Sequence, residues 1–141
     1  MIQRIQTLWL IVVAVIAFAT YRLTLYTGII TGGGEKKFDL ANDFLLVIVI
    51  IALGLLALIS LFLFKNRKLQ FKLTVLGVIF SIGFLFLEYF KVEQFKKDMQ
   101  VSTGSYQIGA LLPIVMVVFF YLAARGVYKD ERLIKSMDRL R

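Results

Sequence analysis

Hydrophobic and polar positions alternate along this chain in long blocks rather than at helical or strand spacing. After a short polar lead over residues 1–6, the chain is apolar through about Leu25. Thr27 to Asp43 is polar and glycine-bearing, and Phe44 to Phe64 is an uninterrupted apolar run. A tight basic turn, Lys65-Asn66-Arg67-Lys68, opens a third apolar run from Phe71 to Phe90. About seventeen polar-leaning residues follow, and a fourth run extends from about Tyr106 to Ala124. An apolar helix of roughly twenty residues is about 30 Å long, the thickness of a bilayer's hydrocarbon core. The pattern therefore predicts an all-α integral membrane protein with four transmembrane helices, over residues 7–25, 44–64, 71–90 and 106–124. Pro113, in the first third of the fourth run, predicts a kink or a looser turn there.

Two stretches in this pattern have rival readings. Ala17-Phe18-Ala19 has the small-x-small form of a signal-peptide cleavage site. The apolar run continues past it, however, and its leading charge is only Arg4, so the segment is expected to remain as a first span. Gly32-Gly33-Gly34 has the look of a phosphate loop, but no Gly-Lys-Ser/Thr follows, which leaves a flexible hairpin.

Composition agrees with the pattern. The chain is 60% hydrophobic, only 18% charged, and has a mean hydropathy of +0.83. That is well above a soluble domain of its length. It contains neither Cys nor His, which removes disulfides, thiolate nucleophiles, Cys/His metal sites and imidazole acid–base chemistry together. The net charge of +8 is not read as a nucleic-acid surface, because its distribution is lopsided. Four spans put both termini and the 65–72 turn on one side, with eleven basic and three acidic side chains. The other side has six of each. The positive-inside rule then places the N and C termini in the cytoplasm, facing anionic lipid.

Three sets of residues are candidates for a role. Gly54 and Ala57 on the second span, and Thr74, Gly77 and Ser81 on the third, form small-residue faces suited to close helix packing. Arg22 and Glu88 lie toward the outer ends of the first and third spans, where an ion pair between them would close the bundle. The tail from Arg125 to Arg141 is the only long charged segment. Within it Leu133, Met137 and Leu140 share a helical face with Ile134 beside it, and Glu131 precedes Lys135 by one favourable turn. This predicts a basic amphipathic helix continuing from the fourth span, whose apolar stripe meets either lipid or a partner protein.

Both ends of the chain carry a resemblance. Met1-Ile2-Gln3-Arg4-Ile5-Gln6-Thr7-Leu8-Trp9-Leu10 resembles the start of a domain-of-unknown-function family of small four-helix membrane proteins from Bacteroidota. Tyr106-Gln107-Ile108-Gly109-Ala110-Leu111-Leu112-Pro113 and the ending Lys129-Asp130-Glu131-x-Leu133-Ile134-Lys135-Ser136-x-Asp138-Arg139-Leu140-Arg141 resemble that family's C-terminal part. The resemblance implies a four-helix fold in a bacterial inner membrane, and no activity. A fixed order such as Ser-x-Asp-Arg-Leu-Arg exceeds what lipid contact requires, so these tail residues, with Arg4 nearby, are the expected partner-binding surface. The leading expectation is a non-enzymatic accessory or assembly subunit of a membrane complex, with no cofactor. A small oligomeric channel or transporter is the alternative, and a membrane enzyme ranks third.

Overall fold

A computed structural model describes residues 3–138, and the side chains of residues 5–137. Four long helices make up most of it: α1 (Gln3–Arg22), α2 (Phe44–Phe62), α3 (Arg67–Asp98) and α4 (Ile108–Asp138). All four are long and apolar enough to cross a membrane. They form an antiparallel bundle in which α1 packs on α2 and α4, and α3 on the same two neighbours. Trp9 lies against Phe119 with ring centroids 5.2 Å apart, and Phe71 meets Tyr128 at 5.9 Å, pairing the first half of α1 with the middle of α4 and the start of α3 with its second half.

The bundle has inverted polarity. Large apolar side chains such as Phe18, Phe44, Phe62, Ile79 and Phe86 point outward, while Gln6, Thr20, Ser60, Gln70, Thr74, Ser81 and Glu88 are buried among core residues. In water this arrangement would expose far more apolar surface than a soluble protein tolerates. Within lipid it puts polar groups where protein can satisfy them. Thr74 donates to the carbonyls of Gln70 and Phe71, Ser81 to that of Gly77, and Thr20 to that of Ile16. Each hydroxyl is thereby satisfied within its own helix.

The fold is not purely α-helical, which corrects the first expectation. At one end of the bundle lies a three-stranded antiparallel sheet of order β2-β1-β3, built from β1 (Thr24–Ile30), β2 (Gly34–Asp39) and β3 (Val101–Tyr106). The expected flexible hairpin is thus an ordered β-hairpin. Gly33, at φ +79°, makes the turn in a conformation other residues rarely adopt. α1 also stops at Arg22, short of Leu25, because Thr24 and Leu25 belong to the central strand. Tyr26 faces Phe38 on one neighbour and Tyr106 on the other.

The sheet rests on an extension of α3. That helix runs to Asp98, two turns past the expected span end, and these turns supply Val92 and Phe95 to the core beneath the strands. Phe95 lies 5.2 Å from the ring of Phe38 and 6.5 Å from that of Tyr26. The Lys96 ammonium sits about 5 Å above the rings of Tyr26 and Tyr106 while bonding Glu93 at 2.6 Å. The Glu93 bond, set against some desolvation and helped by the tyrosines, raises the affinity of Lys96 for its proton. Pro113 does not end α4, which is helical on both sides of it, although its missing amide leaves the carbonyl of Gly109 without a helical donor.

Asp43 ties the start of α2 to α3. Its Oδ1 accepts from the amides of Leu45 and Leu46 at 3.0 and 3.2 Å, capping α2, and its Oδ2 binds the Lys91 ammonium at 2.8 Å. Burial pushes this carboxyl up, but the Lys91 bond and the two amides outweigh it and hold it below the usual range. A depressed value means that the stabilisation is present above the unfolded-chain value and is lost as pH falls through the folded one. Asp43→Ala is therefore expected to lower stability by about 1 kcal/mol at neutral pH. Thermal unfolding in detergent should show the gap between variant and parent closing below about pH 4.

Candidate functional site

The end of the bundle opposite the sheet holds the candidate surface, and α4 builds it. The core-facing positions of α4 are Met116, Phe120, Ala123, Val127 and Asp130, spaced alternately four and three residues apart. Continuing that spacing leads to Ile134 and Met137, on the same face of an unbroken helix. Here burial stops. Val127 is 1% exposed and Asp130 6%, whereas Ile134 is 41% and Met137 68% exposed. Leu133, beside them, is 44% exposed. An apolar stripe that packs the bundle thus runs past its end with no other described element on it.

Polar contacts mark where the bundle ends. The Gln6 amide nitrogen on α1 donates to the Asp130 carboxylate at 2.6 Å, a buried bond between residues 124 apart in sequence. Asp130 was expected on the partner-binding surface. It faces α1 instead, and the structure corrects that expectation. Gln6, which sequence reasoning did not single out, is its partner; the available signal was its register with Leu10 and Val13, four and seven residues on. Beyond this lock the side chains are open. Lys135 bonds Glu131 at 2.8 Å, the expected one-turn pair, and this bond lowers the Glu131 carboxyl below its ordinary value against slight desolvation. Ser136 donates to the carbonyl of Leu133, and the Arg132 guanidinium lies 5.8 Å over the ring of Tyr128. Arg125, Lys129 and Arg132 share a shallow groove on the outward side of α4 with Tyr128, Leu133 and Ser136. Arg139, Leu140 and Arg141, and the side chains of Arg4 and Asp138, lie outside the described residues.

The other candidates are placed as follows. Ala57, Thr74, Gly77 and Ser81 are buried, and the ring of Phe120 occupies the space a side chain at Gly77 would need. Gly54 lies against Ala17 at the α1–α2 contact. The Arg22–Glu88 ion pair does not form. Glu88 is 3% exposed with neither carboxylate oxygen bonded, while Arg22 is exposed at the end of α1. Helical phase separates them: Glu88 continues the inward stripe Gln70, Thr74, Gly77, Ser81 and Phe84, whereas Arg22 is on the outward side of its helix. Among the described residues, no cluster of three or more Asp, Glu, His or Cys side chains gathers that would hold a metal ion.

Among the described residues the geometry assembles no cluster of catalytic type, and the end of the α4 stripe has no described element on it. No curated protein and no solved structure matches the chain. The resemblance carried by its two ends does extend across it: residues 2–140 match the family described as Domain of unknown function (DUF4293), and the chain belongs to that family.

Proposed function

We propose that the protein is a multi-pass, non-enzymatic accessory or assembly subunit of a bacterial inner-membrane complex, docking through the projecting end of α4 in the cytoplasm. The membrane reading is supported by four spanning-length helices whose outward faces are apolar. The orientation rests on the basic excess at the end opposite the sheet.

One observation carries the docking reading: the core stripe of α4 continues through Ile134 and Met137 beyond the residues that cover it. A helix that lies flat at the membrane interface must turn away from its span. α4 runs unbroken from Ile108 to Asp138, about 46 Å at the helical rise, or about 15 Å more than the hydrocarbon core. Its end therefore stands out from the bilayer, with the stripe facing sideways into the cytoplasm. Arg125 and Lys129 are left at the level of anionic headgroups. The complementary partner is an amphipathic helix whose apolar stripe is bordered by acidic residues, meeting Leu133, Ile134 and Met137 with Lys129 and Arg132 alongside.

A photo-crosslinking residue at position 137 is expected to capture one stoichiometric partner in native membranes, and the same residue at position 79 to capture none. Ile134→Glu with Met137→Glu should reduce co-purification of that partner at least tenfold while leaving the thermal midpoint of the isolated protein unchanged. Lipid adducts alone at position 137 would reject the docking reading.

The alternative, a small channel or transporter, is favoured only by the buried polar stripe on α3. Its hydroxyls are already bonded to carbonyls of the same helix, and Phe84, Met116 and Phe120 fill the centre. Ion flux from liposomes holding the purified protein alone would support that alternative.

A further inference from the structure

We propose that the cleft between α1 and α2 seats one acyl chain of an anionic phospholipid, from the leaflet on the sheet side, with its phosphate at Arg22. The inference rests on the membrane reading above but not on the docking surface.

The cleft is apolar almost throughout and has a volume of about 420 Å³. Its floor is Ala14, Ala17 and Gly54, where small side chains leave a trough, and Phe18 and Ile51 stand at its sides. Tyr21 lines the end nearest the sheet. A methylene occupies about the volume of a liquid water, ~30 Å³, so the space takes on the order of fourteen chain carbons.

The second observation is charge. Arg22 follows Phe18 by one helical turn, on the face that lines the cleft, and is the last residue of α1. It is exposed, and the carboxylate expected to neutralise it is sealed inside the bundle at position 88. A guanidinium at the level of the headgroups, one turn above an acyl-sized trough, matches a phospholipid from phosphate to chain. Guanidinium–phosphate pairing supplies the preference for anionic lipid.

Native mass spectrometry of delipidated protein, titrated with phosphatidylglycerol or phosphatidylcholine, tests this. One phosphatidylglycerol adduct should form at least tenfold more readily than the next. Gly54→Leu, which fills the trough, should remove that preferred adduct. A Cβ at Gly54 meets only the Ala17 methyl at 3.5 Å, an ordinary contact, so the bundle is expected to hold. Ala14→Leu fills the same trough from α1 and replaces the test if Gly54→Leu does not purify. Arg22→Gln should bring phosphatidylglycerol down to the level of phosphatidylcholine. Retention of the preferred adduct in the trough-filled variant, or of the anionic preference in Arg22→Gln, would overturn the proposal. If the parent instead leaves native membranes in alkaline carbonate, the membrane reading itself has failed and this inference fails with it.

Discussion

Gly77→Leu is expected to lower the stability of the bundle by about 3 kcal/mol or more, at or beyond the upper end for overpacked cores. A Cβ at Gly77 would come within 3.0 Å of three ring atoms of Phe120, and that ring is fully buried with nowhere to move. The ring lies on bare backbone between Thr74 and Ser81, whose hydroxyls turn back into α3 and so leave the approach clear. A leucine would force α3 and α4 apart along one of the main contacts of the fold. For a chain of this length the thermal midpoint in detergent should fall by about 10 °C. Gly83→Leu is the matched control. Nothing lies within 4 Å of a Cβ at that position, and its midpoint should stay with the parent's. Phe120→Leu should recover part of the loss in the Gly77→Leu background, because the shared contact makes the two changes non-additive. A Gly77→Leu protein as stable as its Gly83→Leu counterpart would mean that α3 and α4 do not meet at this point.

The second large effect has the opposite sign. Glu88→Leu is expected to stabilise the protein by about 1–3 kcal/mol, the desolvation cost of a buried polar group left without a hydrogen-bond partner. Glu88 sits between Phe84 and Val92 on the inward stripe of α3, and neither of its carboxylate oxygens has a hydrogen-bond partner. Burying such a group forfeits its hydration with no compensating bond. Leucine fills nearly the same space without that cost. Glu88→Gln should gain less, since an amide in the same place still lacks partners. Chemical or thermal unfolding in one detergent would rank the three proteins. A Glu88→Leu protein less stable than the parent would show that the carboxyl is bonded to something in the folded bundle. A residue kept at such a cost is also the first position at which to compare partner co-purification between parent and variant.

Sequence and structure agree most closely where the physics is local. The second span, Phe44 to Phe64 by hydropathy, is α2 to within two residues, because an uninterrupted apolar run has only one way to satisfy its backbone in lipid. The tail's helical pattern and its Glu131–Lys135 pair were readable for the same reason, since both depend on residues one turn apart. The strand at Val101–Tyr106 was not readable. Five of its six residues are exposed and it shows no alternation, so only pairing with β1, more than seventy residues away in sequence, makes it a strand. Arg22 and Glu88 looked like partners because both sit near span ends; depth along a helix follows from sequence, but relative rotation of two helices does not. The same limit hid the Gln6–Asp130 bond, which exists only because the first turns of α1 meet the far end of α4.

By itself, then, the sequence determined the number of long helices and the bounds of α2, the expectation of which end carries the charge, and a tail with an apolar face. Each depends on neighbours within a turn or on a sum over a segment. Only the tertiary structure decided that the polar loops close into a sheet, that Glu88 is sealed without a partner, and that Asp130 belongs to the bundle. It alone showed that the apolar face of the tail is the core stripe of α4 carried on past its cover. Those facts depend on how helices are rotated and where each one stops against the next, which packing sets and composition does not record.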